Sequence, residues 1–190
     1  MTPVPAFWEA LDAVPGTTTD ARDWRCRLGD EYSRIGRYLR RTGSLAEAID
    51  CPSPGGDGCP RKVTKRSDGH WRAVCQSYHT RCDALDLTLD DVAVLALDRG
   101  MLTADLGKIF SITASQARIG DGRVLYLGEH AVAAGVSAPA FLILPGQQDP
   151  CGQDELQAAA VPASNAIILT PCRASLSPIL RNRLVEAGHH

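Results

Sequence analysis

The stretch CPSPGGDGCPRKVTKRSDGHWRAVCQSYHTRC, from Cys51 to Cys82, carries four of the seven cysteines in a chain of 190 residues. Between Cys59 and Cys75 lie two short runs typical of strands, separated by an Asp-Gly turn at 68–69. A β-hairpin with a cysteine pair at each end can supply four ligands to a tetrahedral thiolate site. The spacing C-x7-C, x15, C-x6-C therefore predicts one structural Zn²⁺ bound by these four cysteines.

This segment resembles the zinc-ribbon (rubredoxin-like) family over residues 51–82. The features that carry the resemblance are Cys51-Pro52, Gly55-Gly56, Cys59-Pro60, the Asp68-Gly69 turn, Cys75 and Cys82. The resemblance implies a zinc ion on which folding of the module depends, because so short a segment has little core of its own. Four thiolates leave no open coordination position for water or substrate, so the family likeness implies no catalysis at the metal.

Other states of the cysteine cluster remain open. A histidine can replace one cysteine ligand, and His79, three residues before Cys82, is better placed for this than His70. An iron–sulfur cluster, a disulfide or reduced thiols without metal are further alternatives. The three isolated cysteines are expected to be ordinary thiols; they are Cys26, Cys151 and Cys172.

The composition is that of a globular protein, with 44% hydrophobic and 22% charged residues. No apolar run reaches the roughly 18 residues that a membrane-spanning helix needs. The N-terminus lacks the basic region and apolar core of a signal peptide. We therefore expect a cytoplasmic protein of prokaryotic type, without membrane contact, in which clustered cysteines stay reduced. Residues 189–190 resemble the remnant of an affinity tag.

The predicted fold class is α/β, or α+β overall, in three parts. These are an N-terminal helical segment (1–48), the zinc-ribbon-like module (49–84) and a small α/β domain (85–188).

An apolar stripe predicts one helix from Trp24 to Leu39. Asp98 begins a helix that runs through Phe110 with Leu102, Leu106, Ile109 and Phe110 inward, and Thr88 with Asp91 can cap a short helix. The strand–helix order that follows suggests parallel pairing. The remaining predicted elements are strands at 92–97, 123–128, 139–144 and 166–170, and helices at 6–14, 154–160 and 175–187.

Charge is distributed unevenly. Residues 1–82 hold 13 Lys and Arg against 10 Asp and Glu, and residues 83–190 hold 7 against 12. A basic half can meet phosphate or an acidic partner, although a solvated charged face is the plain alternative. The hairpin is the most basic part and adds an aromatic ring suited to stacking on a base. The predicted nucleic-acid-binding residues are Arg61, Lys62, Lys65, Arg66, Trp71 and Arg72.

Residues 106–119 weakly resemble the helix-turn-helix pattern of DNA-binding regulators. The matching positions are Leu106, Gly107, Phe110, the turn Ser111-Ile112-Thr113 and Ala117. In such a unit a second helix, here carrying Ser115, Gln116 and Arg118, enters the major groove. The plain alternative is a helix followed by a turn into a strand.

These patterns favour a non-catalytic zinc-containing regulatory or accessory protein that binds nucleic acid through its basic N-terminal half. One alternative is a protein–protein adaptor subunit of a larger complex. A second is a restriction-like nuclease, for which Glu129 stands near a strand end but the following strand supplies no carboxylate or lysine. We expect no catalytic residues.

Overall fold

The computed structural model describes most of the chain and divides it into two compact units. One unit is Met1–Thr17 together with Asp98–His190, and the other is Thr18–Leu97. Within the described residues, helices accompany three separate sheets, which confirms the α+β class. The described residues are 6–52, 59–76, 82–119, 124–144, 166–171, 178, 182, 185 and 186, with side chains left aside at 15 and 114–119.

The first sheet of the unit Thr18–Leu97 has the order β1-β7-β2, with both pairs antiparallel. Trp24 is fully buried beside it and donates its indole N–H to the Leu95 carbonyl oxygen at 3.1 Å. The helix that carries Trp24 is capped by Asp20, whose side chain accepts from the Asp23 amide at 2.9 Å. The strands are β1 (Thr18–Asp20), β2 (Leu39–Leu45) and β7 (Ala93–Leu97).

The single helix predicted from Trp24 to Leu39 is wrong. The first helix ends at Leu28, because Gly29 adopts φ 49° and ψ −128°, which a helix cannot continue. Three short helical segments follow, and Leu39 already belongs to a strand. The helices are α2 (Ala21–Leu28) and α3 (Tyr32–Ile35), with 3₁₀ turns at Gly29–Glu31 and Gly36–Tyr38.

The second sheet of this unit is an antiparallel meander with the order β3-β4-β5-β6. Its central pair is the predicted hairpin, and Gly69 in the turn has φ 87°. The last strand lies beyond the module boundary predicted at residue 84. The strands are β3 (Ala48–Asp50), β4 (Pro60–Lys65), β5 (Trp71–Cys75) and β6 (Leu85–Leu87).

One face of this meander is apolar. Ile49, Val63, Ala73 and Leu87 are buried on it and pack with Val92. Val92 ends α4 (Leu89–Val92), whose capping box between Thr88 and Asp91 confirms the predicted cap. Alternation along β4 puts Val63 and Arg61 on this inner face and Lys62 on the outer face.

The other unit contains the sheet β11-β10-β9-β8. Its β10 pairs antiparallel with β9 and parallel with β11, so the predicted parallel pairing is confirmed for one strand pair. Of the helix predicted at 175–187, the four described residues are helical; the one predicted at 154–160 lies outside the described residues. The elements are α1 (Ala6–Ala13), α5 (Arg99–Ile109), β8 (Ile112–Ile119), β9 (Val124–Ala133), β10 (Val136–Ile143) and β11 (Ile167–Leu169).

The helix-turn-helix interpretation is wrong. Residues 112–119 form β8, paired with β9, where that pattern requires a second helix. The helix predicted from Asp98 is present, and Leu102 and Leu106 are buried as expected. Ile109 and Phe110 were expected inward but are 72% and 42% exposed, because the chain turns at this point into the strand.

Candidate metal centre

The meander brings the four clustered cysteines to one end of its sheet. Cys51 directly follows β3 and Cys59 directly precedes β4, while Cys75 ends β5 and Cys82 precedes β6. In an antiparallel meander, the first and third connections leave the sheet at the same end. The predicted hairpin therefore sets two cysteine-bearing connections side by side.

The thiol groups are in mutual contact. The Sγ atoms of Cys59 and Cys75 lie 4.0 Å apart. The Cys82 thiol interacts with the thiols of Cys51 and Cys75, and the Cys51 amide donates to the Cys59 carbonyl oxygen at 3.1 Å. Zn–S bonds of ~2.3 Å in a tetrahedron separate neighbouring sulfurs by ~3.8 Å. The Cys59–Cys75 spacing is thus close to one tetrahedral edge.

The pKa values of two thiols in the cluster, Cys59 and Cys82, are raised. Burial raises the pKa of the Cys59 thiol, and the neighbouring Cys75, Cys51 and Cys82 raise it further. Burial also raises the pKa of Cys82, followed by its contacts with Cys51 and Cys75. Adjacent thiolates repel one another, and a bound divalent cation removes that repulsion and deprotonates the thiols outright. The donor set is chemically suited to Zn²⁺.

The sulfurs are adjacent without forming a finished ligand set. Within the described ranges, no three His, Cys, Asp or Glu side chains are already arranged to hold one metal ion. None of the five described cysteines, Cys26 included, forms a disulfide with another described cysteine. His70 stands at the turn end of the hairpin, five residues and roughly 17 Å of strand from Cys75, so it cannot replace a cysteine. His79 lies outside the described residues.

Arg61 was predicted to face nucleic acid, and it does not. Its side chain is 1% exposed, on the inner face of β4. Its Nε and Nη2 donate to Cys51 Sγ at 3.3 and 3.2 Å, and its Nη1 donates to the Asp83 carbonyl oxygen at 2.5 Å. The contact with Cys51 is the main factor that raises the pKa of the guanidinium. Strand alternation with Val63 is the sequence signal for this inward position.

The other predicted nucleic-acid-binding residues are exposed or half-buried, and two of them form ion pairs. Lys62, Lys65 and Arg66 are exposed, and Lys65 Nζ lies 5.7 Å from the centre of the half-buried Trp71 ring. Arg66 pairs with Asp68 at 3.2 Å, on the same turn. Arg72 pairs with Asp86 of β6 at 2.9 Å.

The basic half predicted from charge counts is nearly neutral in the folded unit. Residues 18–97 hold 13 Lys and Arg against 12 Asp and Glu. Carboxylates that follow the cysteine segment fold back on the earlier arginines: Asp90 pairs with Arg41, and Asp91 pairs with Arg25 at 2.9 Å. Arg25, Arg41 and Asp90 line part of a cleft of about 500 Å³ between α2, β2 and α4. The sequence did not indicate this cleft.

Glu129 is engaged within its own sheet. Its Oε1 accepts from the Tyr126 hydroxyl at 2.5 Å and its Oε2 accepts from the Ser137 hydroxyl at 2.9 Å. The pKa of Tyr126 is raised to about 12, mainly by its hydrogen bond to Glu129. A metal-dependent nuclease needs a carboxylate whose oxygens are available to a cation. Both oxygens of Glu129 have structural partners.

No protein-family model, curated protein or solved structure matches this chain. None of the described helices is long and apolar enough to cross a bilayer.

Proposed function

We propose that this protein is a non-catalytic accessory protein whose unit Thr18–Leu97 is stabilised by one zinc ion. Cys51, Cys59, Cys75 and Cys82 would hold the ion, and its contribution is structural, because four thiolates leave no position for a reacting molecule. The observation that carries the proposal is the convergence of the four cysteines at one end of the meander, with two sulfurs 4.0 Å apart.

The partner that the surface favours is another protein. The near balance of charge over residues 18–97 supports this choice, as do the ion pairs that occupy Arg72 and Arg66. Nucleic-acid affinity depends on cations that are free to neutralise phosphates. A protein partner has no such requirement, and the protein then acts as an adaptor subunit of a larger complex.

Nucleic acid is the second candidate, on one specific observation. The turn end of the hairpin presents the exposed side chains of Lys65 and Arg66, with Lys65 beside the Trp71 ring. Cations next to an aromatic ring suit single-stranded nucleic acid. This surface lies at the opposite end of the sheet from the cysteines, so the metal would support it without touching the ligand.

A salt titration separates the two partners. Binding of a fluorescent single-stranded oligonucleotide is measured from low to moderate salt, for the wild type and for Lys65→Gln/Arg66→Gln. Two phosphate contacts by Lys65 and Arg66 give a log–log slope of about −1.4 on a single strand, and the double variant lowers its magnitude. Undetectable binding at low salt refutes the nucleic-acid candidate.

The protein-partner proposal has its own test. The full-length protein should co-elute in size-exclusion chromatography with a stoichiometric protein partner, and the pair should separate when zinc is chelated and re-form when zinc is restored. Co-elution that is indifferent to zinc contradicts the role proposed for the metal. A chain that elutes alone at all concentrations contradicts the adaptor function.

A further inference from the structure

Arg61 carries a buried guanidinium, and zinc binding by the cysteines does not itself explain why a charged group lies there. Arg61 is 1% exposed, and all three of its guanidinium nitrogens donate hydrogen bonds. Two of these bonds converge on Cys51 Sγ, at 3.3 and 3.2 Å, and the third reaches the Asp83 carbonyl oxygen. An arginine is always charged at neutral pH, so a full positive charge lies inside the unit.

A buried cation needs a negative partner. Within the described part of the chain, no carboxylate forms an ion pair with Arg61. The group that meets its two converging donors is the sulfur of Cys51. A neutral thiol is a weak acceptor and leaves the charge uncompensated, whereas a metal-bound thiolate compensates it.

The strand register fixes Arg61 in this position. Arg61 is paired with Ile49 on one side and with Cys75 on the other, in the row of the sheet next to the cysteine end. Its planar fork joins Cys51, which follows β3, to Asp83, which precedes β6. The guanidinium therefore links the two connections that carry the cysteines.

We propose that Arg61 is the built-in cationic partner of the cysteine centre, binding the Cys51 thiolate and offsetting part of the negative charge of a zinc tetrathiolate. A Zn²⁺ ion with four thiolates carries a net charge of −2, and one guanidinium halves it. Arg61 is a positioning residue, since it contacts a ligand and not the metal. This inference rests on the zinc site proposed above.

The test uses the full-length protein with Zn²⁺ and Co²⁺ as probes. Zinc affinity is measured by competition with a chromophoric chelator, and the thiolate-to-cobalt charge-transfer band reports the ligand field at sulfur. Arg61→Met removes the charge and keeps an unbranched apolar side chain in place of the aliphatic part of arginine, while Arg61→Lys keeps the charge but loses the double contact with Cys51. Lys62→Met is the matched control, because it removes a neighbouring cation from the exposed face of the same strand.

Arg61→Met should bind zinc about 10- to 100-fold more weakly than the wild type, the usual effect of removing a hydrogen-bond partner of a metal ligand. Arg61→Lys should fall between the two, and Lys62→Met should stay within about twofold of the wild type, since it touches no ligand. The charge-transfer band should shift in both Arg61 variants and stay in place in Lys62→Met.

The following results overturn the inference. Arg61→Met with the affinity of Lys62→Met shows that Arg61 is no partner of the centre, while the wild type still binds zinc and the proposed metal site stands. Equal weakening of Arg61→Met and Arg61→Lys shows that charge has no part. If Arg61→Met does not fold, Arg61→Lys carries the test, and wild-type affinity in it refutes the role. A wild type that binds neither metal refutes the zinc site and this inference together.

Discussion

The Sγ atoms of Cys59 and Cys75 lie 4.0 Å apart although sixteen positions separate the two residues in the chain. Their proximity follows from the sheet. Cys75 is paired directly with Arg61, and Cys59 stands two residues before Arg61 at the start of the same hairpin. Hairpin pairing thus brings two of the four sulfurs close to the spacing of ligands on one zinc ion.

Gly128→Ala should destabilise the unit that contains β8 and β9. Gly128 has φ 135°, and a Cβ there would stand 1.9 Å from the Thr113 carbonyl oxygen on the paired strand. We expect a loss of about 3 kcal/mol or more in the free energy of unfolding, measured by urea titration, because backbone strain and a backbone clash add.

Gly135→Ala is the matched control for that variant. Gly135 also has positive φ, at 77°, but a Cβ would meet no atom within 4 Å. Left-handed backbone alone costs about 1–2 kcal/mol for a non-glycine residue. Equal losses in the two variants would contradict the close approach of β8 to β9 at Thr113.

Trp24→Phe should lower the free energy of unfolding by about 1–3 kcal/mol, because the Leu95 carbonyl oxygen loses its indole donor in a buried site. Trp8→Phe is the control, since Trp8 is half-buried and packs against Phe7. Chemical denaturation of both variants measures the difference. A Trp24→Phe protein no less stable than Trp8→Phe would refute the buried hydrogen bond.

Asp20 should make stability depend on pH. Burial raises the pKa of its carboxyl in the folded state, so the folded state binds this proton more tightly than the unfolded state. The free energy of unfolding therefore falls as pH rises from the unfolded pKa of about 3.9 through the raised folded value. Asp20→Asn keeps an acceptor for the Asp23 amide and removes the charge, so it should lose this pH-dependent decrease.

The comparison is made by unfolding the wild type, Asp20→Asn and Asp20→Ala at several pH values between 3 and 7. Asp20→Asn should be at least as stable as the wild type at neutral pH. Asp20→Ala should lose about 1 kcal/mol with the cap. A neutral-pH loss in Asp20→Asn as large as that in Asp20→Ala would show that ionised Asp20 stabilises the fold.

Short sequence signals correctly predict the turn and the helix caps, because these features depend only on nearby residues. The hairpin turn at Asp68-Gly69 and the caps at Asp98 and Thr88 are present where the sequence places them. Each rests on contacts within a few residues, which composition and spacing report directly.

Tertiary pairing decided the features that the sequence did not reveal. The apolar stripe from Trp24 to Leu39 has helical spacing, yet Leu39 begins a strand because it pairs with Leu97 of β7. The predicted basic half is nearly neutral in the folded unit because carboxylates from later in the chain belong to the same unit. Arg25 and Arg41 pair with carboxylates 66 and 49 positions further along. The sequence predicts Arg61 to be an exposed cation, whereas the strand register places it beside Cys75.

The metal content of protein purified under reducing conditions tests the central claim most directly. Elemental analysis should find about one zinc per chain in the wild type and in Cys26→Ser, whose exposed cysteine stands apart from the cluster. Cys59→Ser and Cys75→Ser should lose most of this zinc and unfold at lower denaturant concentration. A wild type without zinc, or full occupancy in either cluster variant, would contradict the four-cysteine centre.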